Sequence, residues 1–173
     1  MANTYQLIGS TTLSASALTV TFSSIPATYT DLVLRASYRI DAAGAYGNNP
    51  YLVLNSDTGA NYSSVFLQGN GTSASASTSN GSNNLEMQSA DSAGNTANTF
   101  TIQEVNLYNY TATGAKSISQ FKSSENDSAG NEMHVYASYW AGTAAISTIV
   151  ADVAGSINFV TGSTFWLYGI KKS

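Results

Sequence analysis

Apolar and polar residues alternate with a period of two along most of this chain, which sends successive side chains to opposite faces and marks β-strands. Leu18, Val20 and Phe22 alternate with Thr19 and Thr21. That run stops at Ser23-Ser24-Ile25-Pro26, where proline fixes φ and removes a ladder donor. Over residues 31–40, Leu32, Leu34, Ala36, Tyr38 and Ile40 line one face, and Val33, Arg35, Ser37 and Arg39 the other. Two glycines and Asn48-Asn49-Pro50 make residues 41–50 a loop. Residues 51–54 and 62–68 read as a hairpin around the turn formers of 55–61, where Gly59 can supply a positive φ. Residues 69–84 are almost wholly Gly, Ser, Thr, Ala and Asn and offer little to bury, so they read as a surface loop. A strand at 85–88 and a second polar loop to 98 follow. In residues 99–108 the apolar phase moves from Phe100 and Ile102 to Val105 and Leu107, which predicts a bulge or a bend between sheets.

The last third repeats the pattern with heavier side chains. Strands are expected at 116–124, 133–140, 144–150 and 164–171, separated by turns at 125–130, 141–143 and 152–158. Helix signals are nearly absent, and no internal repeat with a fixed period is present. About eight to ten short strands with turn signals between them predict an all-β fold, a single antiparallel β-sandwich of jelly-roll type spanning residues 1–173. A chain of 173 residues has the size of one domain with one core.

Two late strands carry a further signal. In 133–140, Met133, Val135, Ala137 and Tyr139 form one face, and His134, Tyr136, Ser138 and Trp140 the other. In 164–170, Phe165 and Leu167 oppose Trp166, Tyr168 and Ile170. An antiparallel sandwich normally leaves one face of each sheet wet, and that face reads polar. Aromatic residues on both faces imply a cover over the second one. A long loop of the same chain can supply it, or a neighbouring copy; Tyr and Trp are enriched in interface cores, which favours self-association.

Composition narrows the partners. Only 9% of residues are charged, against roughly a quarter in an average domain, yet 43% are hydrophobic, so the chain has the material to fold. Six Lys and Arg and a net charge of −4 argue against a phosphate-backbone partner. No stretch approaches the roughly 20 apolar residues of a membrane-spanning helix. The start, Met1-Ala2-Asn3-Thr4-Tyr5, lacks the basic and apolar regions of a secretory signal, which predicts a cytoplasmic site of synthesis. There is no cysteine, so stability must come from packing and pairing. Asn-x-Ser/Thr triplets at Asn61, Asn70, Asn80, Asn109 and Asn126 read as products of composition.

The candidate chemistry is thin. A Ser-His-Asp arrangement needs a base beside the nucleophile, and the one histidine, His134, sits within an apolar strand, which predicts a core or interface imidazole. Asp41, Asp57, Asp91, Glu104, Glu125, Asp127, Glu132 and Asp152 fall mostly in turns, and no two are placed by sequence on one rigid strand face as glycoside hydrolysis requires. Asn55-x-Asp57-x-Gly59-x-Asn61 resembles the start of a calcium loop, but the position of the bidentate acid is Phe66, so a turn is expected. Asn70-Gly71 and Asn80-Gly81 read as turn dipeptides, and Lys171-Lys172 as a solvated end. No catalytic, cofactor-binding or metal-binding residue is assigned, no cofactor is expected, and the chain reads as a non-enzyme. Tyr46, Tyr51, Tyr62 and Trp140 are conceivable contributors to a glycan site, with ordinary packing as the alternative.

Three passages resemble a jelly-roll-like domain found in virion proteins of tailed bacteriophages. They are Leu18-Thr-Val-Thr-Phe-Ser-Ser-Ile-Pro-Ala-Thr-Tyr-Thr-Asp-Leu-Val-Leu34, Leu54-Asn-Ser-Asp-Thr-Gly-Ala-Asn-Tyr-Ser63 and Gly162-Ser-Thr-Phe-Trp-Leu-Tyr-Gly-Ile170. The resemblance implies a virion component, often trimeric or otherwise multimeric, serving as head decoration, fibre or baseplate module. The expected function is a capsid decoration or cement protein that binds the major capsid protein or other virion proteins as a homo-oligomer, with a trimer favoured. A short chain starting at Met1 without a fibrous shaft favours the head. The alternative is a tail-fibre or receptor-binding module that recognises host surface glycan. Localisation to the virion after synthesis in the bacterial cytoplasm follows from the same resemblance. If like subunits cover the second face, Trp166→Lys should dissociate the assembly and leave the monomer folded, with the mass read by light scattering.

Overall fold

The structure, a computed structural model, describes residues 4–44, 49–126 and 130–171. Among these residues twelve strands form: β1 (Tyr5–Thr12), β2 (Thr19–Phe22), β3 (Asp31–Tyr38), β4 (Pro50–Leu54), β5 (Tyr62–Gly69), β6 (Ala74–Ser82), β7 (Leu85–Glu86), β8 (Thr101–Leu107), β9 (Lys116–Asn126), β10 (Gly130–Trp140), β11 (Ile149–Val153) and β12 (Thr164–Ile170). They build two antiparallel sheets in a sandwich-like arrangement. The larger has eight strands in the order β1-β12-β3-β8-β9-β10-β5-β6, and the smaller four in the order β2-β11-β4-β7.

Alternation decides which side of each strand meets the other sheet. Leu32, Leu34, Ala36 and Tyr38 of β3 and Phe165 and Leu167 of β12 are buried. They pack with Val20 and Phe22 of β2, Leu52 and Leu54 of β4, and Ile149, Ala151 and Val153 of β11. Phe159, which bridges to Ala17 and Ile40, stands edge-on to Tyr38 and Phe165 with ring centroids 5.7 and 5.1 Å away. Edge-to-face rings match a positive rim to a negative face and add about 0.5–1.5 kcal/mol per pair beyond area burial. Truncating a residue such as Leu167 to Ala in this core should cost about 2–5 kcal/mol.

Several predicted elements differ in the structure. Residues 51–54 and 62–68 are not a hairpin: β4 belongs to the small sheet and β5 to the large one. Residues 55–61 are therefore a corner between layers. Asn55 and Ser56 take the positive φ there, at 53° and 58°, rather than Gly59. The Asn55 side chain is held across the corner, accepting from the backbone N–H of Ser147 at 2.8 Å and donating to the Ala145 carbonyl at 2.8 Å. Residues 144–148 are accordingly a connection, and the strand expected there lies at β11. Residues 69–84 are not a loop, because β6 pairs along β5 after the turn at Asn70-Gly71, where Gly71 has φ +84°. Asn80-Gly81 is a bulge instead of a turn: the register shifts between Tyr62 and Ser63, and Gly81 is the extra residue at φ +66°.

β8 has no bulge against either neighbour. Its buried positions are Thr101, Gln103, Val105 and Leu107, so the polar residues face inward while Ile102 points out. β1 was not expected, since its own bulge between Leu7 and Gly9 breaks the alternation that marks a strand. The twelve strands exceed the eight to ten anticipated for this reason and because of β6.

One close approach makes a sharp test of the layer packing. A Cβ on Gly169 of β12 would lie 2.3 Å from the Tyr29 ring, which packs against the core. Gly169→Ala should lower stability by about 1–3 kcal/mol, the usual cost of overpacking. Adding Tyr29→Ala should recover part of that loss, a non-additivity that thermal melts of the two single variants and the double will read.

Candidate functional site: the outer face of the large sheet

β10 shows the site most clearly. His134, Tyr136, Ser138 and Trp140 are buried, whereas Met133, Val135, Ala137 and Tyr139 are exposed. The loop of the same chain that could have covered them is not there among the described residues. Register carries the exposed set sideways. Val135 lies opposite Leu67 of β5 on one side and Phe121 of β9 on the other, and Ala137 lies opposite Val65. On β8 the register places Glu104 opposite Phe121, and Ile102 one step along, opposite Ser123 in the Met133 row. Leu67 is 63% exposed, Ile102 52% and Val135 45%. An ordinary wet sheet face would place Thr, Lys or Glu at these positions.

The far half of the same face is aromatic. Trp166 and Tyr168 of β12 point outward between Leu7 and Ser10 of β1 and Val33 and Arg35 of β3. Between the strand ends, the charged residues among the described outward positions are Arg35 and Glu104, and they neutralise one another through Nε and Oε2 at 2.8 Å. The Arg35 guanidinium also sits 5.8 and 6.0 Å from the ring centres of Tyr5 and Tyr168. Because both members are well exposed, the ion pair contributes about 0–1 kcal/mol to stability. A groove of about 390 Å³ runs between Trp166 and Phe121 with this pair in its wall.

Beneath the face lies a polar network that the sequence did not disclose. On the inner side, the Tyr38 hydroxyl donates to Gln103 at 2.7 Å, Gln103 donates to Gln120 at 2.8 Å, and Gln120 reaches Ser138 at 3.4 Å. Ser64 adds a bond to Ser138 at 2.9 Å. Farther along β9 and β10, Glu132 accepts from Lys122 Nζ at 2.8 Å, from His134 Nε2 at 2.9 Å and from Ser89 at 2.9 Å. His134 Nδ1 faces the Tyr136 hydroxyl at 3.1 Å, and Phe66 stacks on the imidazole. Lys122 and Glu132 are 0% and 2% exposed. Among the described residues, every buried side-chain nitrogen and oxygen has a hydrogen-bond partner.

Burial alone would raise the Glu132 carboxyl, but the hydrogen bonds from His134 and Lys122 and the Lys122 charge outweigh it and hold the group at about 2. Burial pulls the Lys122 ammonium down against the opposing pull of Glu132. It also pushes the Asp91 carboxyl up.

The remaining sequence candidates are accounted for by these contacts. His134 is a core imidazole, as expected. Its ring nitrogens meet Glu132 and Tyr136, and among the described residues no serine hydroxyl is bonded to either. Glu104, Glu125, Glu132 and Asp152 lie in strands rather than turns. Glu132 could have been placed by extending the alternation of 133–140 two residues upstream; its partner Lys122 required the β9–β10 register. In the corner at 55–61, the Asp57 carboxylate accepts from Trp140 Nε1 at 2.7 Å, Gly59 N at 2.9 Å and Asn61, and these bonds hold it below the usual carboxylate range although burial opposes them. The Asn55 oxygen is likewise engaged by backbone N–H groups, so these side chains build a turn. Among the described residues no group of His, Cys, Asp and Glu is placed to hold a metal ion. Of the aromatic residues considered for glycan, Tyr62 and Trp140 are buried, Tyr51 is half-buried, and Tyr46 lies outside the described residues. Lys116 caps the Trp140 ring from 5.4 Å.

The Glu132 cluster generates a pH prediction. A carboxyl held at about 2 when folded and near 4.5 when unfolded stabilises the fold fully above the unfolded value, and loses that contribution as pH falls toward 2. Thermal stability should therefore be flat between pH 7 and 5 and drop below about pH 4.5, by on the order of 2–3 kcal/mol from this group. The raised Asp91 acts in the opposite sense and trims the drop. Glu132→Gln should flatten the profile. Lys122→Met should cost about 3–5 kcal/mol at pH 7 by leaving a buried carboxylate without its cation, as melts in parallel buffers will show.

No helix among the described residues is long and apolar enough to cross a membrane. No family model matches this chain, and no curated protein or solved structure matches it.

Proposed function

We propose that this chain is a structural assembly protein whose large sheet is covered on its outer face by a second copy of itself. The observation that carries the reading is the row Phe121, Val135 and Leu67, apolar, exposed and contiguous across three strands, with exposed Ile102 and Met133 beside it in the next row. Eight strands about 4.8 Å apart and about seven residues long give a face of roughly 900 Å². A standard interface buries roughly 800 Å² per partner, so one copy suffices to cover it. A second copy also suits the charge, because a face whose central ion pair is internally neutral brings no net charge against itself.

The resemblance of residues 18–34, 54–63 and 162–170 to tailed-phage virion domains gives this assembly its setting. We read the sandwich as an elaborated jelly roll, and the protein as a homo-oligomeric capsid decoration or cement protein bound to the major capsid protein lattice. The composition supports that setting: cohesion that depends on strand pairing and apolar contact, with 9% charged residues, changes little with the salt a particle meets outside a cell.

The purified protein should have a multimeric mass by light scattering. Val135→Lys combined with Leu67→Lys alters positions about half exposed but sets two like charges opposite one another across β10 and β5, so the monomer should stay folded and lose about 1–2 kcal/mol. Its dissociation constant should rise about 30-fold or more. A monomeric wild type, or an unchanged mass in the double variant, would overturn the reading. Labelling on intact particles separates head from tail.

A further inference from the structure

The eight-stranded sheet ends in β6, a long and almost wholly exposed edge strand. Its nine residues, Ala-Ser-Ala-Ser-Thr-Ser-Asn-Gly-Ser, contain no charge and no proline. Seven of them are exposed and none is buried, so neither face is covered and β5 is its one neighbour. Natural edge strands are usually protected by lysine, proline, a bulge or a short length, because unpaired backbone groups are a template for another strand. β6 has none of these over residues 74–80. The opposite edge, β1, does carry a mid-strand bulge.

The backbone phase of β6 follows from two bonds. Asn70 N donates to Ser73 O, and Ala141 N donates to Asn61 O. Antiparallel pairs alternate between bonded and non-bonded positions. With the observed registers, Ser75, Ser77 and Ser79 therefore bond to β5, and Ala74, Ala76, Thr78 and Asn80 turn their N–H and C=O groups away from the sheet. The turn at Asn70 to Ser73 bounds this free ladder on one side, and the bulge at Gly81 on the other.

The geometry points to β6 as a strand-addition edge through which two copies of this chain pair antiparallel about a two-fold axis at Ser77, joining their large sheets. A second copy fits better than a foreign peptide because the pairing is self-complementary. Placing Ser77 opposite its own symmetry mate brings Ala76 opposite Thr78 and Ala74 opposite Asn80, so all four outward-turned positions meet outward-turned positions. Every resulting side-chain pair is small and uncharged, with no like charges opposed. This contact deepens the self-assembly reading and is separate from the outer face.

Ala76→Pro removes one outward N–H and leaves the bonds of Ser75 and Ser77 to β5 in place. Ser77→Lys sets two ammonium groups against each other on the axis and does not touch the backbone. Both variants should lose one level of the wild-type assembly by light scattering while keeping its far-ultraviolet circular dichroism. In assembled wild type, the amides of Ala74, Ala76, Thr78 and Asn80 should exchange with deuterium at least about tenfold more slowly than in a dilute monomer. Wild-type mass in Ser77→Lys, or free exchange of those four amides beside protected Ser75 and Ser77, overturns the edge contact, whatever the face variant does. If the face reading alone fails, Val135→Lys with Leu67→Lys keeps its mass while Ala76→Pro and Ser77→Lys still lose theirs.

Discussion

The packing of an eight-stranded sheet against a four-stranded one governs where water reaches this molecule, because a narrow layer covers only part of a wide one. Where the layers overlap, Leu34, Phe165, Leu167, Leu52 and Ile149 form a dry core by interdigitation. β9 and β10 are the longest strands, at 11 residues each. One end of the pair, with Ile118 and Trp140, lies within that core, and the other reaches into the polar network. β6 has no cover at all.

That imbalance explains why a chain with so few charges places some of them inside. Lys122, Glu132 and His134 occupy the inner face where apolar packing gives way, and the segment after β7, with Met87, Ser89 and Asp91, closes over them. A buried ion pair of this kind is weak evidence of net stability, since desolvating both ions offsets much of their attraction. What it does enforce is register. Slipping β10 by one residue against β9 would put Glu132 and His134 on the outer face and leave Lys122 without a partner. The inner polar groups thus choose the pairing that keeps them satisfied, and the same pairing turns Val135 and Tyr139 outward.

An outward row of apolar side chains and an unprotected edge are liabilities for a lone globule and assets for an assembling one. Each exposes a group that water serves poorly: hydrocarbon in the first case, and aligned amides with no charge to deter pairing in the second. The two proposed contacts would operate in different directions, one normal to the sheet and one in its plane.

Much of this was legible in the alternation. Leu32 to Ile40 face inward in the predicted phase, Phe165 and Leu167 are buried opposite Trp166 and Tyr168, and both sides of residues 133–140 carry hydrophobic residues, as their spacing indicates. Period two reports which residues share a face, because side-chain direction is a local property of an extended backbone. It does not report which face is covered, nor which strand is the neighbour. Residues 51–54 and 62–68 satisfy a hairpin pattern yet belong to different sheets, since the Asn55 side chain ties the end of β4 toward β11. β6 contains almost nothing to bury, so its existence depends on the ladder of β5. Lys122 and Glu132 meet only through the β9–β10 register. Sequence by itself determined the faces, through local geometry; tertiary structure alone decided the covering, the edges and the buried ion pair, because those depend on contacts between residues far apart in the chain.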